Sequence, residues 1–111
     1  MSYDVDFGYP ACSACGRSEE TVFSWDPTYN YRKIFLKAGI HPKEHLLGKT
    51  GEEAGAMFLR AVEAMQADRE AFIALEPPNG WGTVAELIEC LEERLIPFCK
   101  SNPRCLVKSA T

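Results

Sequence analysis

Hydrophobic and acidic residues alternate at the start of the chain, and this two-residue period is typical of a strand with one buried face. The alternating positions are Tyr3, Val5 and Phe7 on one side and Asp4 and Asp6 on the other. The pattern therefore predicts a half-buried strand over residues 2–7. A run of branched and aromatic residues predicts a second strand over 21–25, and the end of the chain predicts a third over 104–108.

Between these strands, apolar residues recur every three or four positions, which predicts helical segments with one buried face. The first helix is expected to begin at Asp26, an N-cap residue followed by proline, and to end at Gly39. A single helical turn is expected in the connector that follows, over residues 40–47. The next helix begins after Thr50, whose side chain can form a capping box with the glutamate three residues later. A short helical segment follows Asp68.

Residues 77–83 interrupt the helical pattern with the sequence Pro-Pro-Asn-Gly-Trp-Gly-Thr. Two prolines cannot continue a helix, and the Asn-Gly pair tolerates the positive φ angle of a tight turn. We predict that Trp81 packs between the two helices that this turn joins. Thr83 then caps the longest apolar stripe of the chain, and Pro97 within that stripe is expected to kink or end the helix near residues 94–96.

The order of these elements predicts the fold class. Strands at both ends and in the early middle, with helices between them, indicate an α+β protein in which a small three-stranded antiparallel sheet packs against about four helical segments. A chain of 111 residues is expected to form one compact domain over residues 1–111. Its content of 46% hydrophobic and 25% charged residues is ordinary for a soluble globular protein.

Charge and hydropathy narrow the classes of partner. A net charge of −4 argues against non-specific binding to nucleic acid, which depends on neutralising phosphates. No apolar run approaches the ~20 residues that a membrane span requires. The first residues lack the charged and then apolar pattern of a signal peptide. We therefore expect a cytoplasmic protein without a membrane partner.

Two cysteines and two histidines form the clearest candidate for a metal-binding or catalytic site. The motif Cys12-x-x-Cys15 can present two thiolates to one zinc ion, and His41 and His45 are spaced to share one helix face. The same cysteines could form a redox pair, but that chemistry favours a helix N-terminus, whereas a strand is predicted after them. The histidines also match the H-x-x-E-H pattern of a zinc peptidase family, although Pro42 is poorly placed for the helix that this mechanism requires. The favoured interpretation is that no complete four-ligand site exists and that the protein needs no cofactor.

A second candidate is an aromatic recognition surface, because tryptophan and tyrosine recur at binding hot spots. Its residues would be Trp25, Tyr29, Asn30, Asn79 and Trp81. The competing interpretation places the tryptophans in the strand and core, and places Asn30 in local hydrogen bonds.

Three motifs give the chain a family resemblance. They are Cys12-x-x-Cys15-Gly16-Arg17, Thr28-Tyr29-Asn30 and the Pro-Pro-Asn-Gly-Trp-Gly stretch over 77–82. Together with the ending over residues 99–107, they resemble a group of small proteins encoded by bacteriophages, prophages and some bacteria. The resemblance implies a small accessory protein that binds a host or defence-system component in the cytoplasm of the host cell.

Known catalytic signatures are missing from the sequence, which contains no glycine-rich phosphate loop, G-x-S-x-G elbow or nucleophile–base pattern. We therefore expect a non-enzymatic interaction protein whose partner is another protein. The alternative is a metal- or small-molecule-binding protein with its site near Tyr29, Asn30 and the loop over residues 79–82.

Overall fold

A computed structural model describes residues 2–111 and shows an α+β fold, as predicted. Three strands form one sheet, and five helices pack beside it. The strands are β1 (Val5–Tyr9), β2 (Glu20–Trp25) and β3 (Leu106–Ala110). The helices are α1 (Arg32–Ala38), α2 (Gly51–Ala67), α3 (Arg69–Ile73), α4 (Val84–Cys90) and α5 (Ile96–Ser101). A 3-10 turn over Tyr29–Tyr31 and π-helical turns over Pro42–Leu46 and Leu91–Leu95 complete the helical structure.

The sheet has the strand order β2-β1-β3, and both pairings are antiparallel. The central position of β1 follows from its pattern, because Val5 and Phe7 are fully buried against the helices. The first and third strands are displaced along the chain from their predicted ranges. Tyr3 lies before β1, where its backbone N–H donates to the Pro27 carbonyl at 2.7 Å, so this predicted strand residue pairs with a loop.

The core lies between the sheet and a layer formed by α2 and the α4–α5 region. The apolar face of α2 supplies Ala54, Phe58, Ala61, Val62 and Met65, all of which are buried. Close approach of α2 to α5 depends on a glycine: a Cβ atom added at Gly55 would lie 2.9 Å from the Cβ atom of Cys99. At this point the backbone of α2 therefore packs directly against the Cys99 side chain of α5.

Two helix ends agree with the sequence analysis, and one does not. Gly39 ends α1 with a φ angle of 78°, and Thr50 and Glu53 form the predicted capping box with both hydrogen bonds at 3.1 Å. The predicted cap at Asp26 is wrong. The Pro27 carbonyl pairs with Tyr3 and holds this segment extended, so Thr28 caps the 3-10 turn instead.

The prediction that Pro97 ends the last helix is wrong, whereas the alternative of a kink stays a prediction. Helical structure continues from α4 through α5 without a break, but the turn over Leu91–Leu95 has π geometry. In this wider turn the Ile96 N–H donates to the Leu91 carbonyl five residues earlier. A proline lacks its own N–H and crowds the carbonyl four residues back, and we infer that the π turn accommodates both effects.

The connection between β1 and β2 projects away from this core. Every residue from 10 to 19 is exposed except Cys12, which is half-buried. We call residues 10–19 the β1–β2 arm. The whole structure measures 50 × 27 × 21 Å along its principal axes. Over residues 2–111, no helix has the length and hydropathy needed to cross a membrane.

Candidate functional site

The turn between α3 and α4 is held in one conformation by its own sequence. Gly80 and Gly82 have φ angles of 74° and 108°, which side-chain-bearing residues rarely adopt. The Gly80 N–H donates to the Pro77 carbonyl at 3.3 Å, and the Trp81 N–H donates to the Asn79 side-chain oxygen at 2.9 Å. The predicted Asn-Gly turn is therefore present, and the asparagine side chain fixes the backbone of the tryptophan.

This turn is also fixed to the body of the protein. Gly82 is buried, and a Cβ atom added to it would lie 3.3 Å from the Tyr31 ring and 3.5 Å from the Asn30 side chain. The Tyr31 hydroxyl donates to the Thr83 carbonyl at 3.1 Å. Across the base of the turn, the Val84 N–H donates to the Glu76 carboxylate at 2.8 Å. Contacts on both sides thus hold the turn in place.

Trp81 is 73% exposed, so the prediction that it packs between the helices is wrong. The position beside Tyr31 is occupied by the Gly82 backbone, which can approach closely because it has no side chain. The indole lies outside that contact. Trp81 is therefore a large apolar side chain displayed to solvent on this turn.

Two residues of the predicted recognition surface, Asn30 and Asn79, lie beside or within this turn, whereas Tyr29 packs on Tyr3. Tyr29 is 37% exposed, and its ring meets the Tyr3 ring edge-on with centroids 4.6 Å apart. Asn30 is half-buried beside Gly82, and Asn79 is exposed within the turn. We call Asn30, Asn79 and Trp81 the Trp81 surface.

Trp25 does not belong to the Trp81 surface, which corrects its predicted role in recognition. It is 3% exposed, and its ring centroid lies 5.6 Å from those of Phe35 and Phe58. Its place at the end of β2 opposite Val5 directs it toward the helices. Trp25 is therefore a core residue.

The four predicted zinc ligands do not meet in one site. Cys12 and Cys15 lie at the tip of the β1–β2 arm. His41 lies just before the π-helical turn over Pro42–Leu46, and His45 lies within that turn. Among residues 2–111, no group of three or more histidine, cysteine, aspartate or glutamate side chains is arranged to hold a metal ion. The chain as described does not form the predicted Cys₂His₂ constellation.

The two histidines have structural partners. His41 is 4% exposed, and its Nε2 atom lies 3.1 Å from the Tyr3 hydroxyl. The His41 backbone N–H donates to Nδ1 of His45 at 2.9 Å, as a side-chain cap would. Burial lowers the pKa of His41, and nearby Glu44 partly opposes this effect. The lowered pKa of His41 favours the neutral imidazole.

Beside His41 lies a cavity that the sequence did not predict. It has a volume of about 390 Å³ and is lined by Tyr3, Tyr29, Arg32, His41, Lys43 and Glu44. Among the described residues, Nδ1 of His41 has no hydrogen-bond partner although it is buried. The lining residues come from three separate segments, and Tyr3 and His41 are 38 positions apart, so no local pattern could have revealed the cavity.

A second cleft of about 390 Å³ lies between the end of β2 and α4, and its lining includes Tyr31, Glu86, Cys90 and Arg94. Burial raises the pKa of the Cys90 thiol, an effect that Arg94 partly opposes. Burial, followed by the nearby Glu86, raises the pKa of Tyr31 to about 12. A thiol with a raised pKa is not an activated nucleophile, and this cleft therefore lacks a basis for covalent catalysis by Cys90.

Comparison of this chain with models of protein families, with curated proteins and with solved structures finds no match.

Proposed function

We propose that this protein is a non-enzymatic binding protein that docks a partner protein on the Trp81 surface. The observation that carries the proposal is the 73% exposure of Trp81 on a turn held at both ends by hydrogen bonds. An exposed indole on a mobile loop loses conformational entropy on binding, whereas one on a fixed turn loses much less. Tryptophan is also among the residues most enriched at binding hot spots.

The surroundings of Trp81 define what the partner should offer. The indole requires an apolar pocket, and the side-chain amides of Asn30 and Asn79 require polar groups at its edge. The resemblance described above supports a partner of host or defence-system origin, met in the host cytoplasm by a phage-encoded protein.

The proposal is tested by capture of proteins from bacterial lysate with three immobilised versions of the full chain. These are the unmodified protein, Trp81→Ala, and Leu59→Ala as a matched control. Leu59 lies on α2 and is 51% exposed, so its truncation also removes an exposed apolar side chain. We expect the same partner with the unmodified protein and the control, and at least tenfold less of it with Trp81→Ala.

Equal capture by all three versions would contradict a role for Trp81. A reproducible lack of any captured protein would count against the binding function as a whole. Thermal melting of each version shows whether a lost partner reflects a lost fold.

A second candidate is binding of a small anion, and the cavity beside His41 favours it. Arg32 and Lys43 contribute two positive charges to the lining, against the single negative charge of Glu44. The unpartnered Nδ1 atom of His41 would gain a hydrogen-bond partner if an oxyanion entered. A phosphate or carboxylate group fits this combination of charge and hydrogen bonding.

Titration with inorganic phosphate and adenosine monophosphate, followed by NMR of the histidine rings, tests this candidate. Binding should raise the pKa of His41 toward or above its ordinary value, because an anion stabilises the charged imidazolium. Arg32→Gln should weaken that response, whereas Lys49→Gln should leave it unchanged because Lys49 does not line this cavity. Unchanged His41 signals at millimolar ligand would exclude the candidate.

A further inference from the structure

The tip of the β1–β2 arm is a tight turn that places two thiols together. The Cys12 N–H donates to the Arg17 carbonyl at 2.8 Å, and these residues form an isolated antiparallel bridge. Gly16 has a φ angle of 72°, so the chain reverses through a conformation that favours glycine. All five cysteines of the protein are free thiols, and Cys15 is exposed.

The turn presents both thiols to solvent at its tip. Cys12 and Cys15 lie on one reversal of the chain, and both are free. Two cysteines separated by two residues on a tight turn can both reach one zinc ion, and the thiolate is the form that binds it. The turn therefore offers two ligands to one metal ion.

The arrangement is also incomplete. Structural zinc takes four ligands in a tetrahedron, and the Cys12–Cys15 turn supplies two. Over residues 2–111, the structure places no third histidine, cysteine or acidic side chain with them in a metal-binding group. A complete zinc site at this turn would therefore take its remaining ligands from a second molecule.

We propose that Cys12 and Cys15 of two copies of this protein bind one Zn²⁺ ion and join the copies at the tips of their arms. A second copy supplies the same pair of thiols through a two-fold contact, in which one patch meets its own equivalent. The exposed arm makes this contact accessible, because residues 10–19 stand clear of the packed core. Each thiol that binds releases its proton to solvent, and no oxidation or reduction occurs.

Charge at the arm supports a four-thiolate centre. Four thiolates and one Zn²⁺ ion carry a net charge of −2, which nearby cations would offset. Arg17 is the one basic residue of the arm, and Glu19, its one acidic residue, pairs with Lys108 at 2.8 Å. Two copies would therefore bring two arginines to the centre. The arm is a different part of the molecule from the Trp81 surface, so this proposal and the proposed function can fail separately.

Metal content and molecular mass of the full chain test the proposal together. Protein prepared with a mild reductant and without chelators, and then given zinc, should contain about one zinc ion for every two chains. Light scattering should show dimers that become monomers when a chelator removes the metal. Substitution of cobalt for zinc should give the intense thiolate-to-metal absorption and visible bands of a tetrahedral four-thiolate site.

Two variants separate this site from other thiols. Cys15→Ser should abolish both zinc retention and dimerisation, whereas Cys90→Ser should preserve both because Cys90 lies in the cleft beside α4. Circular dichroism should show the same helix content for all forms, since the core does not include the arm. That measurement separates a lost site from a lost fold.

Three results would overturn the proposal. One is a monomer that retains one zinc per chain, which would mean that a single chain completes the site. Another is intact thiols that retain no zinc. The third is a mass lower by two hydrogens in protein prepared without reductant, with zinc binding absent, which would identify Cys12 and Cys15 as a redox pair.

Discussion

The two tryptophans of this protein occupy opposite environments. Trp25 ends β2 and is 3% exposed between the rings of Phe35 and Phe58. Trp81 lies in the turn before α4 and is 73% exposed. Both are large apolar side chains in a small protein, so hydrophobicity alone does not decide which one enters the core.

Backbone geometry explains the difference. Trp25 lies in a strand, where alternate side chains face the helices and the position opposite Val5 is buried. Trp81 lies between two glycines with positive φ angles, and the buried position in its turn is taken by the Gly82 backbone. Because the Gly82 backbone fills the interior position, the side chain of the neighbouring Trp81 is exposed to solvent. One tryptophan therefore stabilises the fold, and the other is available to a partner.

Truncation of the buried tryptophan, Trp25, gives the largest expected change in stability. Trp25→Ala should lower the free energy of unfolding by about 3–5 kcal/mol, because it empties an aromatic site packed against two phenylalanines. Urea denaturation measures the change, and Trp25→Phe serves as a control that should lose much less. A loss below about 1 kcal/mol would show that the core around Trp25 collapses to fill the space or does not depend on it.

Features that depend on neighbours three or four residues apart were predictable from sequence. The capping box of Thr50 and Glu53 and the end of α1 at Gly39 appear where the pattern placed them. The first strand also formed close to its predicted range, because the alternation in β1 specifies one buried face. These are local rules, and the sequence contains all the information that they need.

Features that depend on contacts between distant segments were not predictable. The Tyr3–His41 contact joins positions 38 apart, and no periodicity signals it. Trp81 was expected in the core because the contact between Gly82 and Tyr31, made across the fold, is invisible in the sequence. The helix continues past Pro97 through a π turn over Leu91–Leu95, and no periodicity in the sequence signals that a turn of the helix will widen in this way.

The Tyr31 hydroxyl contacts the turn that carries Trp81, so the ionisation of Tyr31 tests how firmly this turn is held in place. Its hydroxyl donates to Thr83, and burial raises its pKa from 10.0 to about 12. A phenol with a raised pKa in the folded state stabilises the protein fully below pH 10, and this contribution is lost as pH rises toward 12. At 1.36 kcal/mol for each pKa unit, a rise of about two units corresponds to a total loss of about 3 kcal/mol, most of which should occur by pH 12.

Comparison with Tyr31→Phe isolates this effect, because other groups also ionise at alkaline pH. The unmodified protein should lose stability more steeply than the variant between pH 10 and 12. Unfolding in urea at several pH values measures both slopes. Parallel slopes would mean that Tyr31 ionises freely and that its contact with the turn opens readily.

The smallest effect on stability is expected at the exposed tryptophan. Trp81→Ala removes a side chain that is 73% exposed, so the free energy of unfolding should change by no more than about 0.5 kcal/mol. The hydrogen bond from the Trp81 backbone to Asn79 survives this substitution, because it does not involve the indole. Thermal and urea unfolding of the variant should overlay those of the unmodified protein.

Gly82→Ala provides the matched contrast at the next position. The added methyl group would require a side-chain-bearing residue at a φ angle of 108° and would lie 3.3 Å from the Tyr31 ring. It should therefore cost about 1 kcal/mol or more, although it adds one carbon where Trp81→Ala removes an entire indole. If Trp81→Ala proves the more damaging of the two, the indole packs on the body of the protein in solution, and the Trp81 surface is not free to receive a partner.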